Sequence, residues 1–152
     1  MNPFMKAALM AGMESLQSGH GGPFGAAVVR DGKIVAVSGN RVYETQDPTM
    51  HAEVAAIRLA AERLGTRDLS GCTLYSTSEP CPMCLCAAYW AKITRVCYGC
   101  SRQDALISGF HDKLLYDMLE HQEKQPLLSV EQMDREACQA LFDRYLEAKK
   151  RG

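Results

Sequence analysis

The chain has 152 residues, 47% of them hydrophobic and 23% charged, with a formal net charge of −1. That length suits one domain with its own core, and the composition is that of an ordinary soluble globular protein. The longest apolar runs, such as Ala26 to Val29, fall far short of the roughly 20 residues a spanning helix needs, which argues against a membrane role. No signal-peptide pattern opens the chain, and the only basic cluster, Lys149-Lys150-Arg151 at the very end, is too small a footprint for nucleic acid. Seven cysteines, an odd number without an export signal, favour reduced thiols or a metal site over a disulfide framework. A single domain over residues 1–152 in the cytoplasm is therefore expected.

In chain order, Phe4, Ala7, Ala8, Ala11 and Leu16 recur at helical spacing over residues 4–18, and Gly19-His20-Gly21-Gly22 ends that helix. Two apolar runs, Phe24 to Arg30 and Lys33 to Ser38, flank Asp31-Gly32, a strong hairpin signal. Asp47-Pro48-Thr49 offers capping residues for a helix from about Met50 to Leu64, whose buried stripe reads as Val54, Ile57, Ala61 and Leu64. Gly65 stops it. Cys72 to Thr77 reads as a strand, Cys81 to Ala91 as a helix with Pro82 in its first turn, and Ile93 to Gly99 as another strand. That strand–helix–strand run predicts a parallel crossover. The tail adds a helical stretch near Lys113–His121, a short strand at Leu127–Val130 and a last helix to Lys149. The whole is an α/β chain, a three-layer α-β-α sandwich with a mixed five-stranded sheet.

Two segments carry chemistry, His51-Ala52-Glu53 and Glu79-Pro80-Cys81-Pro82-Met83-Cys84. A Cys-x-x-Cys at a helix start puts two sulfurs on one face, where thiolates also gain from the helix dipole. With His51 they make three ligands of the kind Zn²⁺ takes in catalytic sites, a fourth position being left to water. Such a water has its pKa lowered to about 7, and the carboxylate of Glu53 is placed to take its proton and pass it on. This His-x-Glu with Pro-Cys-x-x-Cys arrangement is the signature of zinc nucleobase deaminases. Residues two apart on a helix point about 200° apart, so His51 and Glu53 converge only if the metal lies off the helix's N-terminal end. A second Cys-x-x-Cys, Cys97-Tyr98-Gly99-Cys100, lies on a predicted strand, where residues three apart face opposite sides; a metal role is not expected there. Cys72, Cys86 and Cys138 read as buried small hydrophobes, and His20, His111 and His121 receive no metal role.

Gly22-Pro23-Phe24-Gly25-Ala26, Asn40, Asp47-Pro48-Thr49 and the two zinc segments together resemble the cytidine deaminase-like superfamily. Ala88-Tyr89-Trp90-Ala91 and Gly109-Phe110-His111-Asp112 make the chain similar to its bacterial guanine deaminase branch, over about Pro3 to Tyr116. The resemblance implies His51, Cys81 and Cys84 as zinc ligands and Glu53 as proton shuttle. It implies Phe24, Asn40, Ala52, Trp90 and Asp112 as substrate contacts: Asn40 bonding the base, Phe24 and Trp90 packing on its ring, Asp112 binding the purine edge. It further implies a homodimer, in which C-terminal segments can be exchanged so that the tail covers the site. The tail here, Tyr145 to Gly152, lacks a terminal aromatic.

The expected activity is hydrolysis of guanine to xanthine and ammonia, with a small-molecule nucleobase as partner. Alternatives within the superfamily are guanosine, cytosine, an aminated triazine, a pterin-like ring or adenosine in tRNA. A rival of a different class is a zinc-stabilised binding module without catalysis, in which Glu53 would have no role.

Overall fold

Asn2 starts the first helix: its Oδ1 accepts from the N–H groups of Phe4 and Met5 at 2.9 and 3.1 Å. Pro3 then opens α1 (Pro3–Ser18), and Gly19 closes it in the left-handed conformation. The structure, a computed structural model, describes residues 1–120 and 128–152, which form two compact units, Met1–Tyr116 and Asp117–Gly152.

In the first unit the Asp31-Gly32 signal is realised as a tight hairpin between β1 (Gly25–Arg30) and β2 (Lys33–Gly39). Both turn residues have positive φ, 49° and 71°, as a two-residue turn matching strand twist requires. A short helix, α2 (Val42–Thr45), and then α3 (Ala52–Leu64) follow. Next come β3 (Cys72–Ser78), α4 (Pro82–Trp90) and β4 (Arg95–Cys100). β3 pairs antiparallel with β1 and parallel with β4, giving the order β2-β1-β3-β4. The predicted crossover is therefore present.

Alternation along β1 builds the layers. Ala26 and Val28 join Ala52, Ala56 and Ala60 of α3 in one core cluster, while Ala27 and Val29 pack with Ala8 of α1 in another. Helices thus cover both faces of a mixed sheet. α1 lies so close that a Cβ on Gly25 would stand 1.8 Å from the Ala8 carbonyl oxygen. Leu74 of β3 is fully buried in the α3-side cluster, where truncation to Ala should cost about 2–5 kcal/mol.

Four expectations are corrected. Among the described residues the sheet has four strands rather than five. Leu127 lies outside the described residues, and residues 128–130 are irregular, with Val130 89% exposed; so short an apolar alternation is too weak a signal to define a strand. The buried stripe of α3 is Ala52, Glu53, Ala55, Ala56 and Ala60, and Val54, Ile57, Ala61 and Leu64 are only partly buried. Small side chains let the helix backbone approach the sheet, and the larger ones flank that line. Cys86 and Cys138 are exposed, whereas Cys72 is buried as expected. Lastly, Asp47 does not cap α3. Its Oδ1 accepts from the Thr49 N–H at 2.8 Å and hydroxyl at 2.6 Å, shaping the turn that delivers His51.

α5 (Arg102–Ile107), which the sequence reading lacks, is closed at its start by a reciprocal Ser101–Asp104 capping box. α6 (Lys113–Glu120) matches its expected stretch, His121 lying outside the described residues. In the second unit, α7 (Arg135–Arg151) ends with Lys149, Lys150 and Arg151 in its last turn, complementing the helix dipole. Leu141, Phe142, Tyr145 and Leu146 of α7 are all exposed. Among the described residues no helix is long and apolar enough to cross a membrane.

Candidate active site

The geometric conflict between His51 and Glu53 is resolved at the start of α3. His51 is the N-cap, with extended backbone (φ −61°, ψ 157°), so its side chain leaves the helix direction while Glu53 sits inside the first turn. Cys81 occupies the same position on α4, again extended (φ −63°, ψ 168°), with Pro82 following and Cys84 one turn on. Two helix N-termini therefore face one point, and both favour negative charge there.

The donor atoms converge. His51 Nδ1 lies 3.6 Å from Cys81 Sγ and 3.5 Å from Cys84 Sγ, and all three ligand atoms lie within 4.8 Å of one another. Tetrahedral zinc, with Zn–S of about 2.3 Å and Zn–N of about 2.0–2.1 Å, separates sulfur and nitrogen ligands by roughly 3.6 Å. The residues present fit that ion. Among the described residues this is the only such group of three, and Cys97 and Cys100 take no part in it. The thiols are unequal without metal: hydrogen bonds from Cys84 and His51 hold Cys81 far below the usual thiol range, while the neighbouring Cys81 and burial push Cys84 up.

Glu53 is 6% exposed. Its Oε1 contacts the Ser76 hydroxyl at 3.0 Å and its Oε2 lies 3.5 Å from Cys84 Sγ, so the carboxylate stands beside the ligand cluster. Burial raises its pKa above the ordinary carboxylate value, a direction that suits a group exchanging protons near neutral pH.

These groups open into a cavity of about 380 Å³, within the roughly 300–1,000 Å³ typical of small-molecule sites. Phe24, Asn40 and Asp112 line it together with His51, Glu53 and Cys81. Asn40 is buried and fixed. Its N–H donates to the Phe24 carbonyl at 2.9 Å, and its Oδ1 accepts from the Val42 N–H at 3.0 Å. The amide NH₂ is the end left for a ligand. Gly21 makes room for it, since a Cβ there would stand 2.0 Å from Asn40 Oδ1.

Two predicted contacts lie elsewhere. Ala52 is fully buried in the core cluster with its side chain away from the cavity lining. Trp90 is 80% exposed at the end of α4, edge-on to Tyr89 with ring centroids 5.7 Å apart, so in this chain it forms no wall of the cavity. Other lining residues were missed: Phe110, packed edge-on to Phe24 at 4.8 Å, and Glu79 and Arg102. Glu79 Oε2 accepts from the Arg102 N–H at 2.9 Å, and the Arg102 guanidinium lies 4.0 Å over the Tyr116 ring. Phe110 belongs to the Gly109-Phe110-His111-Asp112 stretch, but no local pattern marks a loop aromatic as a cavity wall.

A sheet flanked by helices, with a His/Cys/Cys cluster and a carboxylate at two helix starts, defines the zinc deaminase class. The model for the cytidine and deoxycytidylate deaminase zinc-binding region matches residues 1–100, and the chain belongs to that family. It is similar to guanine deaminase of Bacillus subtilis (strain 168), at 48% identity over 113 residues, covering 74% of this chain and 72% of the relative. The solved structure of Bacillus subtilis guanine deaminase superposes with a TM-score of 0.83 at 40% identity, covering 95% of both chains. A tRNA-specific adenosine deaminase of Agrobacterium fabrum (strain C58) is 52% identical, but over only 77 residues, 51% of each chain.

Proposed function

We propose that this protein hydrolyses guanine to xanthine and ammonia. The observation that carries this reading is the His51–Cys81–Cys84 cluster, with His51, Cys81 and Glu53 lining a cavity that Phe24 and Phe110 also line, in a chain 48% identical over 113 residues to a guanine deaminase. His51 Nδ1 and the sulfurs of Cys81 and Cys84 would hold Zn²⁺, which when bound supplies a Lewis acid able to activate water near neutral pH.

The chain's own residues do the rest. Phe24 and Phe110 meet edge to face, with an interplanar angle of 75°, and offer an apolar wall for the ring face. The Asn40 NH₂ donates to an acceptor on the ring, and Asp112 accepts from its N–H edge. Glu53 Oε2 removes one proton from the attacking water and delivers it to the ring nitrogen beside the reacting carbon; it then takes the remaining proton from the added hydroxyl and passes it to the departing amine. Water adds one oxygen and ammonia leaves, so the ring is converted without change of oxidation state.

A homodimer in the cytoplasm belongs to this reading. α4 leaves Leu85, Tyr89 and Trp90 exposed, an apolar face of the kind that covers itself on association. Reduced thiols ready for metal go with a reducing compartment.

The test is ammonia release by the zinc-loaded protein from guanine, guanosine, cytosine, adenine and an adenosine-containing tRNA stem-loop. Guanine is expected to lead, with release lowered by about 10²–10⁴-fold in Glu53→Gln while zinc is retained. Release from the stem-loop in place of guanine would move the activity to the tRNA-editing type. Equal silence of the wild type and Glu53→Gln with zinc bound would leave a non-catalytic zinc module.

A further inference from the structure

Glu53 has two side-chain neighbours among its hydrogen bonds. One, Cys84 Sγ at 3.5 Å from Oε2, is a thiol that must lose its proton to ligate metal. The other is Ser76, on β3, whose hydroxyl lies 3.0 Å from Oε1. In the metal-loaded protein only the serine still has a side-chain proton to offer the carboxylate. Ser76 is 2% exposed and does not line the cavity, so it cannot meet substrate. Its hydroxyl also lies 2.7 Å from the Ser78 carbonyl oxygen, two residues further along the same strand. One hydroxyl proton thus faces two acceptors, the Ser78 carbonyl and Glu53 Oε1.

We propose that Ser76 is a positioning residue for deamination: its hydroxyl donates to the ionised Glu53 Oε1, the stronger of its two acceptors, and so aims Oε2 at the reacting centre. The inference rests on the role given to Glu53 above. Three features support it. The strand backbone fixes Ser76 more tightly than the first turn of α3 fixes a three-carbon side chain. The contact is buried, where a hydrogen bond to a charged group is worth more than at the surface. A hydroxyl both donates and accepts, so the contact persists whichever partner carries the proton.

The experiment compares Ser76→Ala, Ser76→Thr and Ser76→Val in the zinc-loaded protein, alone and combined with Glu53→Gln. Zinc content, Tm, kcat and KM are measured for each. Threonine and valine have nearly equal volume and differ in the hydroxyl, which isolates that group even if Ser76→Ala fails to fold. Ser76→Ala and Ser76→Val should lower kcat by about 10–100-fold, the usual range for a residue that orients a metal-site group. KM should stay within about twofold, zinc should remain near one per chain, and Ser76→Thr should recover most of kcat. Added to Glu53→Gln, Ser76→Ala should cost nothing further, because both act through one carboxylate. A kcat within twofold of wild type in folded, zinc-bound Ser76→Ala would overturn the proposal. So would equal losses in the threonine and valine variants, or an undiminished loss on the Glu53→Gln background. A wild type that releases no ammonia from any ring would instead overturn the assigned role of Glu53.

Discussion

Cys81-Pro82-Met83-Cys84 and Cys97-Tyr98-Gly99-Cys100 have the same spacing and opposite fates. The first pair begins α4, where the extended N-cap residue and a residue one turn on bring both sulfurs to His51 Nδ1 within 3.6 Å. The second pair lies on β4, where three residues span about 10 Å and the two side chains leave opposite faces. Cys97 packs toward the Tyr75 and Ala8 side of the sheet, and Cys100 is exposed. Ligand spacing in sequence is therefore meaningful only together with the backbone that carries it.

The largest effect that would break this contrast is Cys84→Ala. Zinc affinity should fall by more than about 100-fold, beyond the cost of losing an outer-shell partner, and ammonia release should vanish; metal analysis and turnover check both. Zinc affinity of the wild type should also rise with pH, since binding displaces protons from Cys84, whose thiol is pushed up, and from His51, whose bond to Cys81 raises its pKa. A pH-independent affinity would mean that the thiols do not ligate. Next in size, Glu53→Gln should lower kcat by about 10²–10⁴-fold, as for loss of a general acid–base, with zinc unchanged. Smaller, and confined to the second motif, is Gly99→Ala. A Cβ there would stand 2.9 Å from the Thr77 carbonyl oxygen, so stability should drop by about 1–3 kcal/mol in denaturant titration, with zinc still bound. The smallest effect belongs to the double change Cys97→Ala, Cys100→Ser. It should leave zinc stoichiometry and kcat as they are and shift stability by no more than about 1 kcal/mol. Zinc loss in that variant would contradict the contrast directly.

The His51–Cys81–Cys84 cluster was legible because each half is local. His51-Ala52-Glu53 and Cys81 to Cys84 each open a helix, the second marked by Pro82 in its first turn. The hairpin at Asp31-Gly32 was legible for the same reason. The α3 stripe was misplaced because the periodicity of large residues points to where they sit, whereas here alanines make the close contact with the sheet. The exposure of Trp90 and Cys86 depends on which side of α4 the fold covers, and nothing within the helix, apolar almost throughout, states that.

By itself the sequence determined the hairpin, the strand–helix–strand crossover and the two helices that begin near His51 and Cys81, because turn residues and apolar periodicity along the chain mark each of them. Only the tertiary structure decided that the sheet has four strands among the described residues and that Phe110, Glu79 and Arg102 border the cavity. It alone set the Ser76 hydroxyl against Glu53. Those contacts join segments distant along the chain, and their partners are chosen by packing against the whole sheet rather than by any local preference.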